Sequence, residues 1–536
     1  MEQLTQKEKV TIMFALMAAM FFAAINQTIV SSAMPRIIAL LGGMEYYSWV
    51  LTIFMLTSTI ATILVGKLSD IYGRKPFLLM GIITFMIGTF LVGTSTSIFQ
   101  MIAYRGVQGI GAGILMSTTI TAVGDLFAPR ERAKWTGVMM AVFGFSSVLG
   151  PTLGGVMVDH MAWKWLFWIF LPLGLVVLVM IWFMFPKSAR KTSESIDYWG
   201  SLFLSITIIG LLLGFSWAGS KYDWSSYQII GLFTISAVSL VILLLIERKA
   251  KSPVLPLSMF KNSIVTVSNS IGFLMNAGMM GAMIYLPFFV QGVEGVSATK
   301  SGFVTMPMSI MMIILSSLVG RWISKSGKYK RYAMTGTIIM VAGMIMMAFM
   351  SSIVMAVASM CVFGIGLGLC MPVFTLTVQN AVAPSQLGVA TATSTLFRNL
   401  GGTIGIAVLG SVMNSTMSHK LENAMATSEI DLSKLEPEKA GELSKLLDPQ
   451  LLLNQPKLLE LQSTLPDQIK PLFTQMIDML RSVLSSTLTI VFLIGAILLF
   501  VAFVLVFFLK EIPLRTSNAA NSEQEKTKEA AQPEVN

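Results

Sequence analysis

The feature that most constrains this chain is a recurring apolar run of about 20 residues, the length at which an α-helix spans the hydrocarbon core of a bilayer. Bounded by charges or turn residues, such runs fall at 10–30, 47–66, 77–93, 98–123, 137–158 and 165–185. After a basic break at 187–191 come 198–218 and 229–246, and after a second break at 247–262 come 264–290, 301–319, 332–350, 353–377, 388–413 and 484–509. In lipid every backbone polar group must be satisfied within its own segment, so runs of this length are read as helices. The expected fold class is an all-α polytopic membrane protein with 14 transmembrane helices. Composition agrees: 54% of the 536 residues are hydrophobic and only 12% charged, against about 25% charged in soluble domains. That excludes an ordinary soluble globular protein.

A net charge of +10 raises the possibility of nucleic-acid binding, but where the charge lies argues otherwise. An even number of crossings puts both termini on one side. The segments on that side carry 24 lysines and arginines, among them Lys67, Arg74, Lys75, Arg130, Arg248 and Lys328, while the short loops opposite carry only Arg36, Lys164, Lys221 and Lys300. By the positive-inside rule both termini are expected in the cytoplasm of a multi-pass plasma-membrane protein, with the bilayer and not nucleic acid as its partner. Cys361 and Cys370 share one apolar run, about 13 Å apart along a helix, too far for a disulfide. The first apolar run is too long for a signal peptide and reads as a retained helix.

Residues 414–483 break the pattern as a long outer segment rich in Leu, Glu and Lys with five prolines. Its apolar spacing at Leu443, Leu446 and Leu447, and at Ile469, Phe473, Met476 and Leu480, predicts short amphipathic helices, forming a cap or a tolerated insertion. The tail at 516–536 reads as disordered.

The chain also repeats itself. Gly66-x6-Gly73-Arg74 after the second crossing is answered by Gly320-x6-Gly327-Lys328 after the tenth, 254 residues later. Gly109-Ile110-Gly111-Ala112-Gly113 is answered by Gly364-Ile365-Gly366-Leu367-Gly368 at an offset of 255. Two parallel halves, 1–186 and 263–515, are therefore expected around an inserted helix pair and its linkers at 187–262. Such paired repeats are a transporter architecture.

Four motifs carry chemistry. The loop Gly66-Lys67-Leu68-Ser69-Asp70-Ile71-Tyr72-Gly73-Arg74-Lys75 sets a carboxylate among cations in a tight turn. Arg105, in Tyr104-Arg105-Gly106-Val107-Gln108-Gly109, and Arg398, in Phe397-Arg398-Asn399-Leu400-Gly401-Gly402, lie inside apolar runs, where a cation is costly and by default functional. The fifth crossing carries Gly144-x5-Gly150-Pro151-x2-Gly154-Gly155, which permits close packing and a bend. Asp197-Tyr198-Trp199-Gly200 opens the seventh run, and Lys510-Glu511-Ile512-Pro513-Leu514-Arg515 follows the last.

Together these residues resemble the major facilitator superfamily over nearly the whole chain, and within it the 14-helix drug:proton antiporter branch, which includes bacterial multidrug and antiseptic exporters. The resemblance implies a major facilitator fold in which Gly66, Asp70, Gly73, Arg74 and Lys75 gate the cytoplasmic side. It implies an antiporter helix marked by Gly144, Gly150, Pro151, Gly154 and Gly155, and coupling through Arg105 with Asn26, Gln108, Asp159 and Arg398. The function implied is secondary export of amphipathic or hydrophobic compounds, driven by proton antiport through alternating access. Export or flipping of lipid-like molecules is the alternative, and an integral membrane enzyme a more distant one. No cofactor or metal is called for, and a monomer is expected.

One departure matters. The branch commonly places an Asp before its first-helix Thr-Ile-Val, whereas this chain has Asn26 in Ile25-Asn26-Gln27-Thr28-Ile29-Val30. The remaining carboxylates near crossings are Asp70, Asp125, Asp159, Glu247 and Glu294, all at helix ends, and the histidines are His160 and His419. The shortage of buried acids also argues against an enzyme needing a general base in the membrane. Asn26, Gln27 and Gln108 are expected to hold the charge of Arg105. A cargo space between the halves is expected to draw on the 40 methionines for adaptable packing, with Trp49, Phe273, Met275, Met279, Met280 and Phe289 as candidate lining residues.

Overall fold

The computed structural model describes residues 5–41, 46–186, 197–219, 221–250, 253–296, 298–383, 386–427, 452, 458, 462–463 and 470–514. Among them there is no β-structure beyond one bridge between Ala218 and Tyr222. Fourteen helical crossings follow one another. They are α1 (Gln6–Leu41), α2 (Tyr47–Tyr72), α3 (Arg74–Thr94), α4 (Ile98–Leu126), α5 (Pro129–His160), α6 (Trp165–Met184), α7 (Tyr198–Trp217) and α8 (Tyr227–Lys249). Then come α9 (Ser263–Pro287), α10 (Ala298–Ser326), α11 (Lys330–Ala348), α12 (Ile353–Asn380), α13 (Leu387–Thr427) and α14 (Lys470–Phe507).

Thirteen of these are long and apolar enough to cross a membrane. The other, α5, has 32 residues and packs along α1 on one side and α10 on the other, so it needs less apolar surface toward lipid. In α6 the helix is interrupted between Trp168 and Leu171. Pro172, in the first turn of the second piece, has no N–H, and its ring excludes the carbonyl four residues back.

Helices α1–α6 pack among themselves, as do α9–α14, and α7 and α8 pair with each other and reach α2 and α13 through α7. Only 22% of the α8 span is buried, against 78% of α4, so the pair is peripheral and α4 is interior. Within each group the tightest seams are glycine contacts. A Cβ on Gly88 would stand 2.5 Å from Gln108 N, and one on Gly111 would strike Phe85 N. In the second group, 255 residues later in each case, a Cβ on Gly343 would lie 2.8 Å from Phe363 N and one on Gly366 would lie 2.7 Å from Met340 N. The repeat seen in the sequence is thus a repeat of backbone contacts, α3 on α4 and α11 on α12.

The segment expected as an outer insertion is partly membrane-helix extension. Helix α13 runs to Thr427 and α14 begins at Lys470; at 41 residues α13 is about 60 Å long, roughly twice the hydrocarbon thickness. The two extensions lean together. Lys420 Nζ donates to Ser486 O at 3.0 Å, and Met417, Phe473, Met476 and Leu480 are buried between them. Amphipathic spacing here reflects packing of two long helices, so short helices are not needed for Phe473, Met476 and Leu480. Leu443, Leu446, Leu447, Ile469 and the 516–536 tail lie outside the described residues.

Substituting Gly111 by leucine should destabilise the protein by about 1–3 kcal/mol, the usual cost of overpacking. Gly302→Leu, where nothing lies within 4 Å of the added Cβ, should leave stability unchanged. Thermal melting followed by size-exclusion fluorescence distinguishes them.

Candidate functional site

The loop between α2 and α3 becomes a four-helix junction. Gly73, at φ 90, ends one helix and opens the next, a conformation side-chain-bearing residues rarely adopt. Arg74 then turns inward, 4% exposed. Its Nε donates to Asp125 Oδ2 of α4 at 2.7 Å and its Nη1 to Ser69 Oγ at 2.6 Å, while Nη2 pairs with Asp70. Asp70 in turn accepts the amides of Gly388 and Val389, both at 3.2 Å. Those amides belong to the first turn of α13, where unpaired N–H groups and the helix dipole favour an anion. Lys75 Nζ donates to Phe185 O at 2.7 Å, tying α3 to the end of α6.

This junction can exist because Gly66 and Gly388 let α2 and α13 touch. A Cβ on Gly66 would lie 2.6 Å from Ala392 Cβ and 2.9 Å from Gly388 O. A second crossing, between α5 and α10, has the same construction: a Cβ on Gly320 would lie 2.6 Å from Ala133 O and 3.1 Å from Gly137 Cα. There Arg130 donates from Nε to Ser324 O and from Nη2 to Lys325 O, both at 2.7 Å. A cation thus sits on the carbonyl end of α10, the complement of an acid on the amide end of α13. Both crossings lie on the face where α2 ends and α13 begins, and they seal the two groups of helices there.

Farther along the seam Asn399 Nδ2 donates to Thr59 Oγ1 at 2.9 Å. Beyond it α2 and α13 part, leaving a space of about 300 Å³ bounded also by α7 and lined by residues such as Thr52, Leu56, Ser216, Tyr285, Thr403 and Asn414. A second, much tighter space, of about 20 Å³, is lined by α9, α12 and α13, with Arg398 on its wall beside Asn269, Asn276, Met275 and Met279.

The buried cation Arg105 is held otherwise than expected. Its Nη1 donates to Gln108 Oε1 at 2.6 Å, Gln108 Nε2 donates to Thr89 Oγ1 at 2.8 Å, and the guanidinium lies 4.1 Å from the centre of the Phe54 ring. Asn26 does not join this chain of bonds. Its amide donates to Phe22 O at 2.9 Å, one turn back in α1, and both Asn26 Oδ1 and Arg105 Nε are buried without a hydrogen-bond partner among the described residues. A cation over an aromatic face with one good acceptor replaces the expected ring of amides.

On α5, Gly144 faces α10, where a Cβ would meet Ile313 at 2.7 Å, and Gly150 faces Thr28 of α1. Thr28 Oγ1 donates to Ser146 O at 2.9 Å, so the Thr-Ile-Val motif and the glycine motif form one contact. Gly154 is buried. The surroundings of Pro151, Gly155 and Asp159 lie outside the described residues. Of the candidate lining residues, Met275 and Met279 reach a cavity. Phe289 is core at 2% exposure, Trp49 packs on Trp217 with ring centres 5.0 Å apart, and Phe273 and Met280 pack against Gly401 and Gly402. The polar members of the Arg398 cavity, Ser268, Asn269, Asn276, Thr375 and Ser394, were missed because isolated Ser, Thr and Asn in apolar runs carry no spacing signal.

Two groups of six helices sealed on one face and parted toward the other have the architecture of a membrane transporter. Residues 16–406 match the model of the Major Facilitator Superfamily, and the chain belongs to that family. It is 37% identical over 535 residues to the multidrug transporter protein MdtP of Bacillus subtilis, covering 98% of this chain and 97% of that one. It is 32% identical over 522 residues to multidrug resistance protein 3 of the same organism, covering 96% and 98%. In fold it resembles the human organic anion transporter MFSD10, with a TM-score of 0.61 at 14% identity over 92% of this chain and 99% of the other. It also resembles the proton:xylose symporter XylE, at 0.58 and 13%, over 78% and 91%. Family and fold are those of membrane transporters rather than enzymes.

Asp70→Asn should reduce transport at least about tenfold, since a charged acceptor is worth about 1.5–3 kcal/mol to its donors. Membrane abundance, set by hydropathy, should stay unchanged on an immunoblot of the same cells.

Proposed function

We propose that this chain is a secondary exporter of amphipathic compounds, a multidrug efflux protein of the plasma membrane working by alternating access and driven by protons moving inward. The observation that carries the reading is the Asp70–Arg74–Asp125 junction capping α13 across the seam, set against open space at the other end of the same seam. The excess of cations on the sealed face supports reading that face, and both termini, as cytoplasmic. Cargo leaves by the parted face, and the cycle reverses when Asp70 gives up the α13 amides and Arg130 gives up the α10 carbonyls. Names of the two Bacillus relatives support multidrug efflux as the class of activity.

With Asn26 in the first helix, proton coupling falls to acids at helix ends. Asp70 and Asp125 share Arg74, so protonating either one removes a charge from the junction that holds the seam shut. Arg105 and Gln108 brace the first group from within, and Arg398 is the cation that faces the space between α9, α12 and α13. Lipid-like cargo is a second reading. It is favoured by the largely apolar space between α2, α7 and α13, which has hydroxyls but no charged group among its lining residues.

Reconstituted in liposomes, the protein should accumulate a fluorescent amphiphile on the outward side against its gradient when protons run the other way. A protonophore should abolish the accumulation. Uphill movement that requires ATP and ignores the protonophore would refute the proposal.

A further inference from the structure

The cavity between α9, α12 and α13 has a chemical bias that the general reading does not use. Arg398 lies 11 residues into α13, about 16 Å along its axis and so near the middle of a 30 Å core. Its Cγ lies 3.4 Å from where a Cβ on Gly272 would stand, so the glycine leaves room for the stem to cross α9 and reach the space. The only hydrogen bond its side chain makes among the described residues is a long one, 3.5 Å from Nη2 to Thr395 Oγ1. None of the residues lining the cavity is a carboxylate.

The neighbours are donors left over as well. Asn269 spends its Oδ1 accepting Ser394 Oγ at 2.7 Å, which leaves its Nδ2 as a buried donor without a partner. Ser268 Oγ is likewise buried and unpartnered. Asn269 is 3% exposed and Ser268 2%. A guanidinium, an amide N–H and a hydroxyl therefore converge on one space in a region where unpaired polar groups are expensive. The rest of the wall is Met275, Met279, Met371, Leu367 and Phe374, a surface suited to an alkyl chain or a flat apolar body.

Resting on the transport reading above, we propose that this cavity, tight while the seam is sealed and widened as the two groups move, is a head-group site and that the cargo is an anionic amphiphile. Arg398 takes a carboxylate or phosphate oxygen as a charge-assisted pair, Asn269 Nδ2 and Ser268 Oγ donate to the same head, and the methionines and Phe374 hold the apolar part. A cationic amphiphile would bring a like charge to an uncompensated guanidinium at this depth, where repulsion is weakly screened.

Equilibrium binding tests this without any gradient, so it can fail while proton-driven export succeeds, and the reverse. Radiolabelled oleate is bound to the full-length protein in maltoside micelles at a pH where its carboxylate is ionised, and competitors are added. Unlabelled oleate and dodecyl phosphate should displace it at concentrations about tenfold or more below those needed for methyl oleate or dodecyltrimethylammonium. Acetate and inorganic phosphate should not displace it, which separates an amphiphile site from a site for free anions. Arg398→Gln should bring the acid and the phosphate to the level of the methyl ester and leave the ester unchanged; Arg398→Lys should keep much of the preference. If Arg398→Gln does not fold, Asn269→Leu decides, since it keeps the cation and should still lower the anion preference severalfold. Equal displacement by acid and ester in the unaltered protein would overturn the proposal. So would displacement by acetate or inorganic phosphate alone, a preference surviving Arg398→Gln, or, where that variant does not fold, one unchanged in Asn269→Leu.

Discussion

A single carboxylate gathers four helices across the seam between the two groups. Asp70 belongs to α2, is paired with Arg74 of α3, shares that arginine with Asp125 of α4, and caps the first amides of α13. Each of these bonds is modest alone. In a buried junction they depend on one another, because removing any partner leaves a charge without compensation. The seam is therefore held by a cooperative unit that is either made or broken, which is what a gate requires, and not by diffuse apolar contact that would change gradually.

The junction depends in turn on missing side chains. Asp70 reaches the amides of α13 because Gly66 and Gly388 bring the two backbones together, and the α5–α10 crossing repeats the device with Gly137 and Gly320. Between helices in lipid there is little hydrophobic gain from contact, so close backbone approach and the polar bonds it allows carry the association. Each crossing uses the opposite end of a helix dipole: an acid against amides at α13, an arginine against carbonyls at α10. A similar economy ties the chain's last motif to the bundle, where Glu511 Oε1 accepts the amides of Tyr329 and Lys330 at the start of α11. Burial and the nearby Glu511 carboxylate push the Tyr329 hydroxyl's pKa up from its ordinary value, so it stays protonated as it accepts Ile512 N at 2.9 Å.

The fold class was legible because hydropathy over 20 residues is an additive property of a segment, and so was the repeat, because glycines at fixed offsets mark backbone contacts that only glycine allows. The Asp70 junction was legible for a related reason: Gly66, Asp70, Gly73 and Arg74 are close in sequence and meet around one turn. What sequence reading missed depends on which faces of distant helices meet. That Gln108 and not Asn26 serves Arg105 depends on Asn26 bonding back to Phe22, a choice settled by helix rotation. That Met279 reaches a cavity while Phe289 is core depends on where α9 meets α12 and α14. Helix α13 was ended too early and α14 begun too late because their outward extensions are amphipathic, and a helix that stops being apolar on all sides looks like a helix that has stopped.

The repeat duplicates backbone contacts without duplicating charge. Gly88 packs on Gln108 and Gly343 packs on Phe363, the same contact 255 residues apart, yet one position carries the acceptor for a buried arginine and the other a phenyl ring. The counterpart of Arg105 at the same offset is Met360, fully buried in the apolar core of the second group. The first group thus encloses its cation within its own helices, bonded to Gln108 and covered by Phe54, and the second carries its cation on α13, the helix that also makes the seam. A cation sealed inside one rigid group cannot respond to cargo, whereas one on the moving seam must change its surroundings whenever the seam opens. Twofold packing supplies two bodies able to rock against each other, and the unequal placement of Arg105 and Arg398 makes only the second body's cation sensitive to what lies between them.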